Sequence, residues 1–471
     1  MLKNMTIKRL KEYLYKWAHA PEYVYLITAL IGVISFALIT PPFQGPDEEA
    51  HYVRVQYIAH GYVIPVYVDD SNASLPQSLQ KILKITFYTD DLRGKTADKY
   101  ELARTKEALN IPGDASATYK PPMINYSALP YAPAIPGVAI SNLLNLSPLI
   151  SMYIARVFLG VASVIIMFFA IKLIPRKKYL FAAVGLIPML LFQQAMVAID
   201  GVSYALLALF IAYVLYLNEK VTIRKKQWLF LGLLCIALVL AKPLIWLFIP
   251  FIFLLAKRKQ ALIWIAGIAV ACVIAFAALT LASNIKSQPD AGSTLPDNVN
   301  STSQLEMLLS NPKRGLRVAW NSYMTTYGDE ETRGVIGVFG AADTLLPVWM
   351  YSLSVIVLGL LCVLKLDDKR TKEITRGWKI FTITLLLAYF GAVNLAIYLS
   401  YTPVNFDIIY GVQGRYLLPM IIVAAALIFT GGIVVGKKDA SKVKLYVAVA
   451  TLSLVLLSLL IVLQRYYLYT P

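Results

Sequence analysis

Gly45-Pro46-Asp47-Glu48-Glu49-Ala50-His51 begins a few residues after an apolar run that extends from about Tyr23 to Thr40. Three consecutive carboxylates behind a stretch of bilayer-spanning length set the reading of the chain: a helix in hydrocarbon, then an acidic element at its surface. Ionised groups beside hydrocarbon are usually solvated, paired or used in chemistry. The run leads into Tyr52-Val53-Arg54-Val55-Gln56-Tyr57-Ile58-Ala59-His60-Gly61, which reads as a short amphipathic helix stopped by glycine. An acid cluster on a membrane-parallel helix is a place for a general base that faces a lipid-borne substrate.

Composition supports a membrane setting. The 471 residues are 58% hydrophobic and 15% charged, with a mean hydropathy of +0.63. Soluble domains carry about a quarter charged residues, so the chain reads as an all-α polytopic integral membrane protein. A net charge of +17 raises nucleic acid as a partner, but the distribution argues against it. Roughly 26 of the 44 Lys and Arg fall in segments placed in the cytoplasm, against about 7 acids. The two long external loops hold roughly 14 basic and 18 acidic residues. That bias orients helices and calls for no anionic partner.

Cys235, Cys272 and Cys362 all lie in apolar spans and offer neither a disulfide framework nor metal-ligand spacing. They read as small buried hydrophobes. The basic start (Lys3, Lys8, Arg9, Lys11, Lys16) precedes the first apolar run with no small-residue cleavage site after it. A retained first helix is expected, not a signal peptide.

A span needs about 20 apolar residues. On that rule helices are expected near 23–40, 149–174, 179–198, 203–218, 227–241, 243–256, 261–283, 345–365, 379–400, 416–436 and 445–464. The pair at 227–256 is short, with Lys242-Pro243 at its centre, and one long kinked helix is the alternative. The basic loops at 176–178, 220–226, 257–259, 365–379 and 437–444 share one side only if two spans are counted. About eleven helices follow, with the amino terminus cytoplasmic and the carboxyl terminus external. The segments are a cytoplasmic stretch 1–22, a transmembrane module 23–283 that includes external loop 41–148, a second external loop 284–344, and carboxyl-terminal helices 345–471.

Loops of that length should be ordered functional elements. The first contains amphipathic, juxtamembrane pieces and the Pro-rich Tyr119-Lys120-Pro121-Pro122-Met123-Ile124-Asn125-Tyr126. The second holds Trp320, Tyr323 and Tyr327 before Gly334-Val335-Ile336-Gly337-Val338-Phe339-Gly340. No tandem repeat, phosphate-binding loop, dinucleotide fingerprint or His-rich metal pattern is present, and the chain has three His.

The ionisable residues at the mouths of the spans converge. Arg156 falls in the outer half of the second helix, Asp200 in the turn between the third and fourth, and Lys242 in the turn between the fifth and sixth. Arg415 precedes the tenth helix in Gly411-Val412-Gln413-Gly414-Arg415-Tyr416-Leu417-Leu418-Pro419. All map to the face that holds Asp47 and Glu48, which suggests one cavity at the outer leaflet. Each residue also has a structural reading. Asp47, Glu48 and Glu49 could cap the following helix; His51 and His60 could be packing residues; Lys242 could snorkel to headgroups. Arg156 could pair with a carboxylate, Asp200 could cap its helix, and Trp320, Tyr323 and Tyr327 could form an interfacial belt.

Acid and base groups at such a cavity suit transfer of a group carried on a lipid phosphate. The acceptor hydroxyl loses a proton to a positioned carboxylate, and the departing phosphate needs fixed cations. Arg supplies a fork and Lys a point charge.

Pro46-Asp47-Glu48-Glu49-Ala50-His51, Tyr119-Lys120-Pro121-Pro122 and Gln413-Gly414-Arg415-Tyr416-Leu417-Leu418-Pro419 resemble a family of uncharacterised bacterial polytopic membrane proteins, the domain of unknown function DUF2142. The order of features is also similar to GT-C glycosyltransferases, among them lipid A aminoarabinose transferases and protein O-mannosyltransferases. The resemblance implies a GT-C-like fold and an inverting transfer from a polyprenyl-phosphate-linked sugar. It implies Asp47 as the base with Glu48 supporting or replacing it, and Lys242, Arg415 and Arg156 at the lipid phosphate. Asp200, His51, Lys120 and Tyr416 would line the cavity. Two departures stand out: the acids run Asp-Glu-Glu before His51, and the turn is Ala241-Lys242-Pro243 where transferases commonly have Lys-Gly-Pro.

The expectation is therefore a glycosyltransferase at the outer face of a bacterial plasma membrane. Its partners would be a polyprenyl-phosphate-linked sugar, a cell-surface glycan or glycolipid acceptor, and membrane lipids, with no nucleic acid. No cofactor is required by any motif, although an acidic cluster could hold a divalent cation through oxygen ligands. Two rivals remain. A polymerase or ligase would use a lipid-pyrophosphate-linked oligosaccharide and need more cations. A flippase or transporter for such lipids would usually show internal repeats.

Overall fold

The computed structural model describes residues 17–64, 76–86, 100, 102–114, 126–257, 260–283, 298–326, 328–366, 371–429 and 432–468. Lys120, Pro121, Pro122 and Tyr327 lie outside them. The described chain is helical almost throughout. In order come α1 (Pro21–Ile39), α2 (Glu48–Ala59), α3 (Gln77–Thr86), α4 (Leu102–Leu109), α5 (Ile135–Leu143), α6 (Pro148–Leu173), α7 (Lys178–Gly185), α8 (Pro188–Ala195), α9 (Asp200–Glu219) and α10 (Lys225–Ala241). A 3-10 segment Ile245–Leu255 follows, then α11 (Ala261–Ser283), α12 (Ser301–Ser310), α13 (Pro312–Asn321), α14 (Gly328–Ile336), α15 (Val348–Val363), α16 (Arg376–Tyr401), α17 (Leu418–Leu427) and α18 (Lys437–Leu463). Among the described residues, strand pairing is confined to two-residue ladders: β1 (Val338–Phe339) with β2 (Thr344–Leu345), antiparallel, and β3 (Leu364–Lys365) with β4 (Ile433–Val434), parallel.

Six of these helices are long and apolar enough to cross a membrane: α1, α6, α9, α11, α16 and α18. The bent pair α7–α8 adds a seventh if it is counted as one span. Length and composition support six or seven of the eleven expected spans, and proline interrupts two of the expected segments. Pro188 has no N–H and clashes with the preceding turn, so the expected span 179–198 breaks into α7 and α8 at an angle of 54°. Pro250 sits inside the segment expected as helix 243–256, which winds instead as 3-10 helix over Ile245–Leu255. At about 2 Å rise per residue, that thinner coil advances about 22 Å in eleven residues. The segments α15 and Gly414–Leu427 are apolar but shorter.

The core is organised around α9. Its apolar stretch is 89% buried, against 17% for α11, and it packs along α6, α10, α17 and the 3-10 segment. The α1 helix lies against α6, α7, α8 and α18. Small residues allow the closest approaches: a Cβ on Gly160 would stand 2.2 Å from Val33 Cγ1. A second buried cluster joins α2 to α5, α6 and the Leu129–Tyr131 turn through Tyr52, Val55, Tyr131, Val138 and Met152.

That second cluster corrects one expectation. The α2 helix is not amphipathic, because residues on all its sides are buried, among them Glu48, His51, Arg54 and Gln56. Its polar side chains are satisfied within the fold. Arg54 donates to the carbonyls of Tyr62 and Val63 (2.8 Å each), and Gln56 accepts from Asn142 Nδ2 at 2.9 Å. Gly61 does end the element, at φ +93.

The carboxyl-terminal turn Gln464–Leu468 ties both long connections together. Tyr100 N donates to Tyr466 O at 2.8 Å, and Arg465 pairs with the buried Asp343 at 2.9 Å.

Candidate functional site

Five separate segments meet at one ionic cluster. Asp47 comes from the turn after α1, His51 from α2, Asp200 from the first turn of α9, and Lys242 from the extended residue that ends α10. Arg415 and Tyr416 come from the 3-10 turn Gly414–Leu417 ahead of α17. Glycine makes that last turn possible. A Cβ on Gly414 would lie 2.2 Å from Glu331 O and 2.5 Å from Val335 N, so the backbone of α14 rests directly on it.

Arg415 is the hub. Its guanidinium reaches Asp47 Oδ2 at 3.1 Å, Asp200 Oδ2 at 3.5 Å and the hydroxyl of Tyr416 at 3.2 Å. The Lys242 ammonium donates to the other Asp200 oxygen and to Tyr204 Oη at 3.0 Å. It also stands 5.0 Å from the Tyr204 ring and 5.1 Å from the Tyr416 ring, within cation–π range. Tyr204 Oη in turn donates to Arg415 O at 3.2 Å. Two carboxylates therefore balance two cations in a largely buried network.

The two carboxylates differ in access. Asp200 has a side chain 5% exposed, whereas that of Asp47 is 68% exposed. Asp47 adopts left-handed backbone geometry (φ 56, ψ 21) at the start of α2 and makes no side-chain cap there. The capping role available to it in sequence is not taken; its carboxylate turns to Arg415 instead. The Arg415 Nε is buried and has no hydrogen-bond partner among the described residues. A buried, unpaired N–H is costly, and an arriving acceptor would satisfy it.

Glu48 and Arg156 are also adjacent, but they close on each other. Arg156 donates from Nε to Glu48 Oε1 (2.7 Å) and from a terminal nitrogen to Oε2 (2.6 Å). Its remaining donors go to the carbonyls of Ala37 (2.8 Å), Thr40 (2.7 Å) and Pro41 (2.9 Å). Glu48 also accepts from Val197 N at 3.0 Å and Gly45 N at 3.2 Å. Both side chains are 0% exposed. All five guanidinium donors are used, so neither residue presents a group to a lipid phosphate or an acceptor, the roles expected for them from sequence. The pair fastens the end of α1 and the start of α2 to α6 and to the α8–α9 junction.

His51 sits behind the cluster. Its Nδ1 lies 2.6 Å from Tyr131 Oη, and Tyr126 stacks obliquely with ring centroids 5.5 Å apart. Burial pushes the His51 pKa down to about 4, against the opposing pull of Asp47 and Asp200. Burial holds the Tyr131 phenol well above its usual value, so a protonated phenol and a neutral imidazole share this hydrogen bond. Burial likewise lifts Tyr126 to about 12, with Asp200 adding to the rise.

Of the expected residues, the structure brings Asp47, Asp200, Lys242, Arg415 and Tyr416 together, with His51 near enough to feel their charge. Lys120 is outside the described residues. Sequence reading missed Tyr204 and Tyr131. Tyr204 follows Asp200 by four residues and so shares its helix face, a usable signal; Tyr131 gave none. No group of three or more His, Cys, Asp or Glu able to hold a metal ion occurs among the described residues.

A family model described as "Predicted membrane protein (DUF2142)" matches residues 30–424. No curated protein and no solved structure matches the chain.

Proposed function

The chain belongs to the DUF2142 family of predicted membrane proteins, and from that premise and the geometry of the site we propose that it is a membrane glycosyltransferase. The donor would be a polyprenyl-phosphate-linked sugar and the acceptor a cell-surface glycan or glycolipid. The reaction would take place at the outer face of a bacterial plasma membrane, with the amino terminus cytoplasmic and the carboxyl terminus external. One observation carries the reading: an exposed carboxylate, Asp47, shares the Arg415 guanidinium with the buried Asp200 while Arg415 Nε stays unpaired.

Asp47 takes the proton of the acceptor hydroxyl as its oxygen bonds to the anomeric carbon. The bond from that carbon to the phosphate oxygen breaks, and the electron pair leaves with the polyprenyl phosphate. Arg415 and Lys242 face the negative charge that grows there. Attack from the side opposite the phosphate inverts the anomeric centre. Tyr416 and Tyr204 hold the two cations in place, and the neutral His51 borders the acid. Two cations balanced by two carboxylates suit a monophosphate leaving group better than a pyrophosphate, which favours a transferase over a polymerase.

The experiment supplies purified protein and an Asp47→Asn variant with radiolabelled polyprenyl-phosphate sugars and extracted envelope glycans and lipids. Label should move to an acceptor with the native protein and not with the folded variant. Equal transfer by both removes Asp47 as the base. No transfer by either, where the labelled donor is seen to bind, removes the transferase reading.

A further inference from the structure

The hairpin of α12 and α13 has two faces. The inner face closes the end of α16. Gln304 Nε2 donates to the carbonyls of Thr402 and Pro403 at 3.0 Å each, and Arg314 donates to Asn405 O at 2.7 Å. Ser322 Oγ accepts from Ile409 N at 2.8 Å, while Val318 packs with Tyr398 and Ile409.

The outer face is apolar and open. Leu305 and Leu309 are 43% and 73% exposed, four residues apart on α12. Leu316, Trp320 and Met324 follow at the same spacing on α13 and its extension, at 75%, 63% and 66%. Residues four apart lie on one side of a helix. Beside this row are the exposed Lys313 and Arg317; α13 carries no acid, and the nearby carboxylates are Glu306 on α12 and the exposed Asp407, whose Oδ1 lies 3.7 Å from Arg317.

Position decides what meets this face. The α16 helix is one of the spanning helices, and its 26 residues rise about 39 Å, more than the roughly 30 Å of a hydrocarbon core. A hairpin that caps its end lies at the membrane boundary. Exposed Ile380, Ile383, Leu387 and Leu395 run along α16 toward the end that the hairpin caps, so this spanning helix carries an open apolar surface of its own. Leucine and tryptophan flanked by lysine and arginine form the pattern of a helix lying in the headgroup layer.

We propose that α12 and α13 form an interfacial membrane element, with Leu305, Leu309, Leu316, Trp320 and Met324 in the acyl boundary and Lys313 and Arg317 at lipid phosphates. The partner is the bilayer surface. The element leads through Ser322–Thr326 into α14, which rests on the Gly414 turn that carries Arg415, so the headgroup layer is one helix away from the ionic cluster. Nothing in this assignment requires the transferase reading.

Two measurements on full-length protein in vesicles of phosphatidylcholine and phosphatidylglycerol test it. Nitroxide labels at Leu309→Cys, Leu316→Cys and Trp320→Cys, with Cys235, Cys272 and Cys362 replaced by alanine, should collide more with oxygen than with a water-soluble nickel chelate. A label at Ser310→Cys should show the reverse order. The fluorescence lost in Trp320→Phe, in the otherwise native chain, should be quenched by brominated lipids and not by iodide. The second measurement decides if the labelled variants do not fold. Preference for nickel and iodide would put the face in water and overturn the proposal. Protection from all quenchers would put it against protein and overturn it as well.

Discussion

Arg156 holds Glu48 through two parallel hydrogen bonds of 2.7 and 2.6 Å, with both side chains fully buried. This pair is the structural counterpart of the open cluster around Arg415. Both unite acids from the α1–α2 region with an arginine from a distant helix. In one, every donor is consumed by protein; in the other, one acid is exposed and one donor is left over.

Arg156→Lys should therefore be strongly destabilising, because three ammonium protons cannot reach five acceptors spread over Ala37, Thr40, Pro41 and Glu48. Removing one partner of a buried pair costs about 3–5 kcal/mol. Thermal unfolding in detergent should show a large drop in Tm for Arg156→Lys and for Glu48→Gln. Unchanged Tm in both would mean that the clamp does not hold the α1–α2 corner.

Asp47→Asn should behave in the opposite way. Its side chain is 68% exposed and its contact with Arg415 is a single 3.1 Å bond, so stability should change by about 1 kcal/mol or less. On the proposed transferase reading, transfer should fall by at least about 100-fold, the usual contribution of a positioned base. Matched Tm and activity assays on the same preparation separate the two effects.

Asp200→Asn should cost both. It leaves Lys242 and Arg415 close together with one neutralising carboxylate, the exposed Asp47. Stability should fall by about 3 kcal/mol or more, and raising inorganic phosphate should restore part of it by supplying the missing negative charge. No response of Tm to phosphate would argue that the two cations are closed to anions.

Acid should weaken the fold through His51. In the unfolded chain the imidazole titrates near 6.5, while burial keeps it neutral in the folded protein down to about 4. Between these values the unfolded state binds the extra proton, so stability is complete above 6.5 and falls as the pH drops toward 4. The full difference is about 3 kcal/mol. His51→Asn should flatten that slope in stability measured from pH 7 to pH 4.5.

Gly414→Ala and Gly45→Ala should differ. A methyl at Gly414 meets backbone atoms, Glu331 O at 2.2 Å and Gly334 C at 2.5 Å, which cannot move without undocking α14. A methyl at Gly45 meets Cγ (2.8 Å) and Cβ (3.0 Å) of the buried Met196, a side-chain contact that does not involve the α14 backbone. Proteolysis of the α14 region should rise in the first variant and stay near native in the second.

Much of the architecture is legible one segment at a time. Long apolar runs must form helices because bilayer or core leaves no other way to satisfy their backbone, so α1, α6, α9, α11, α16 and α18 lie where hydropathy puts them. The positions of Asp200 and Lys242 at helix ends follow from the same pattern. Tertiary packing decided what these groups do. Sequence treats Asp47 and Glu48 as neighbours with interchangeable roles; the left-handed turn at Asp47 sends its carboxylate toward Arg415 and leaves Glu48 facing Arg156. The proline breaks at 188 and 250 set path and length beyond any count of apolar residues. The polarity of α2 was misleading because its partners, Tyr62, Val63, Tyr126 and Asn142, come from up to 86 residues away. Composition and periodicity fix which segments leave water, since that free energy is local to each segment. Which charges pair and which stay open depends on contacts between distant segments, and only the folded chain settles them.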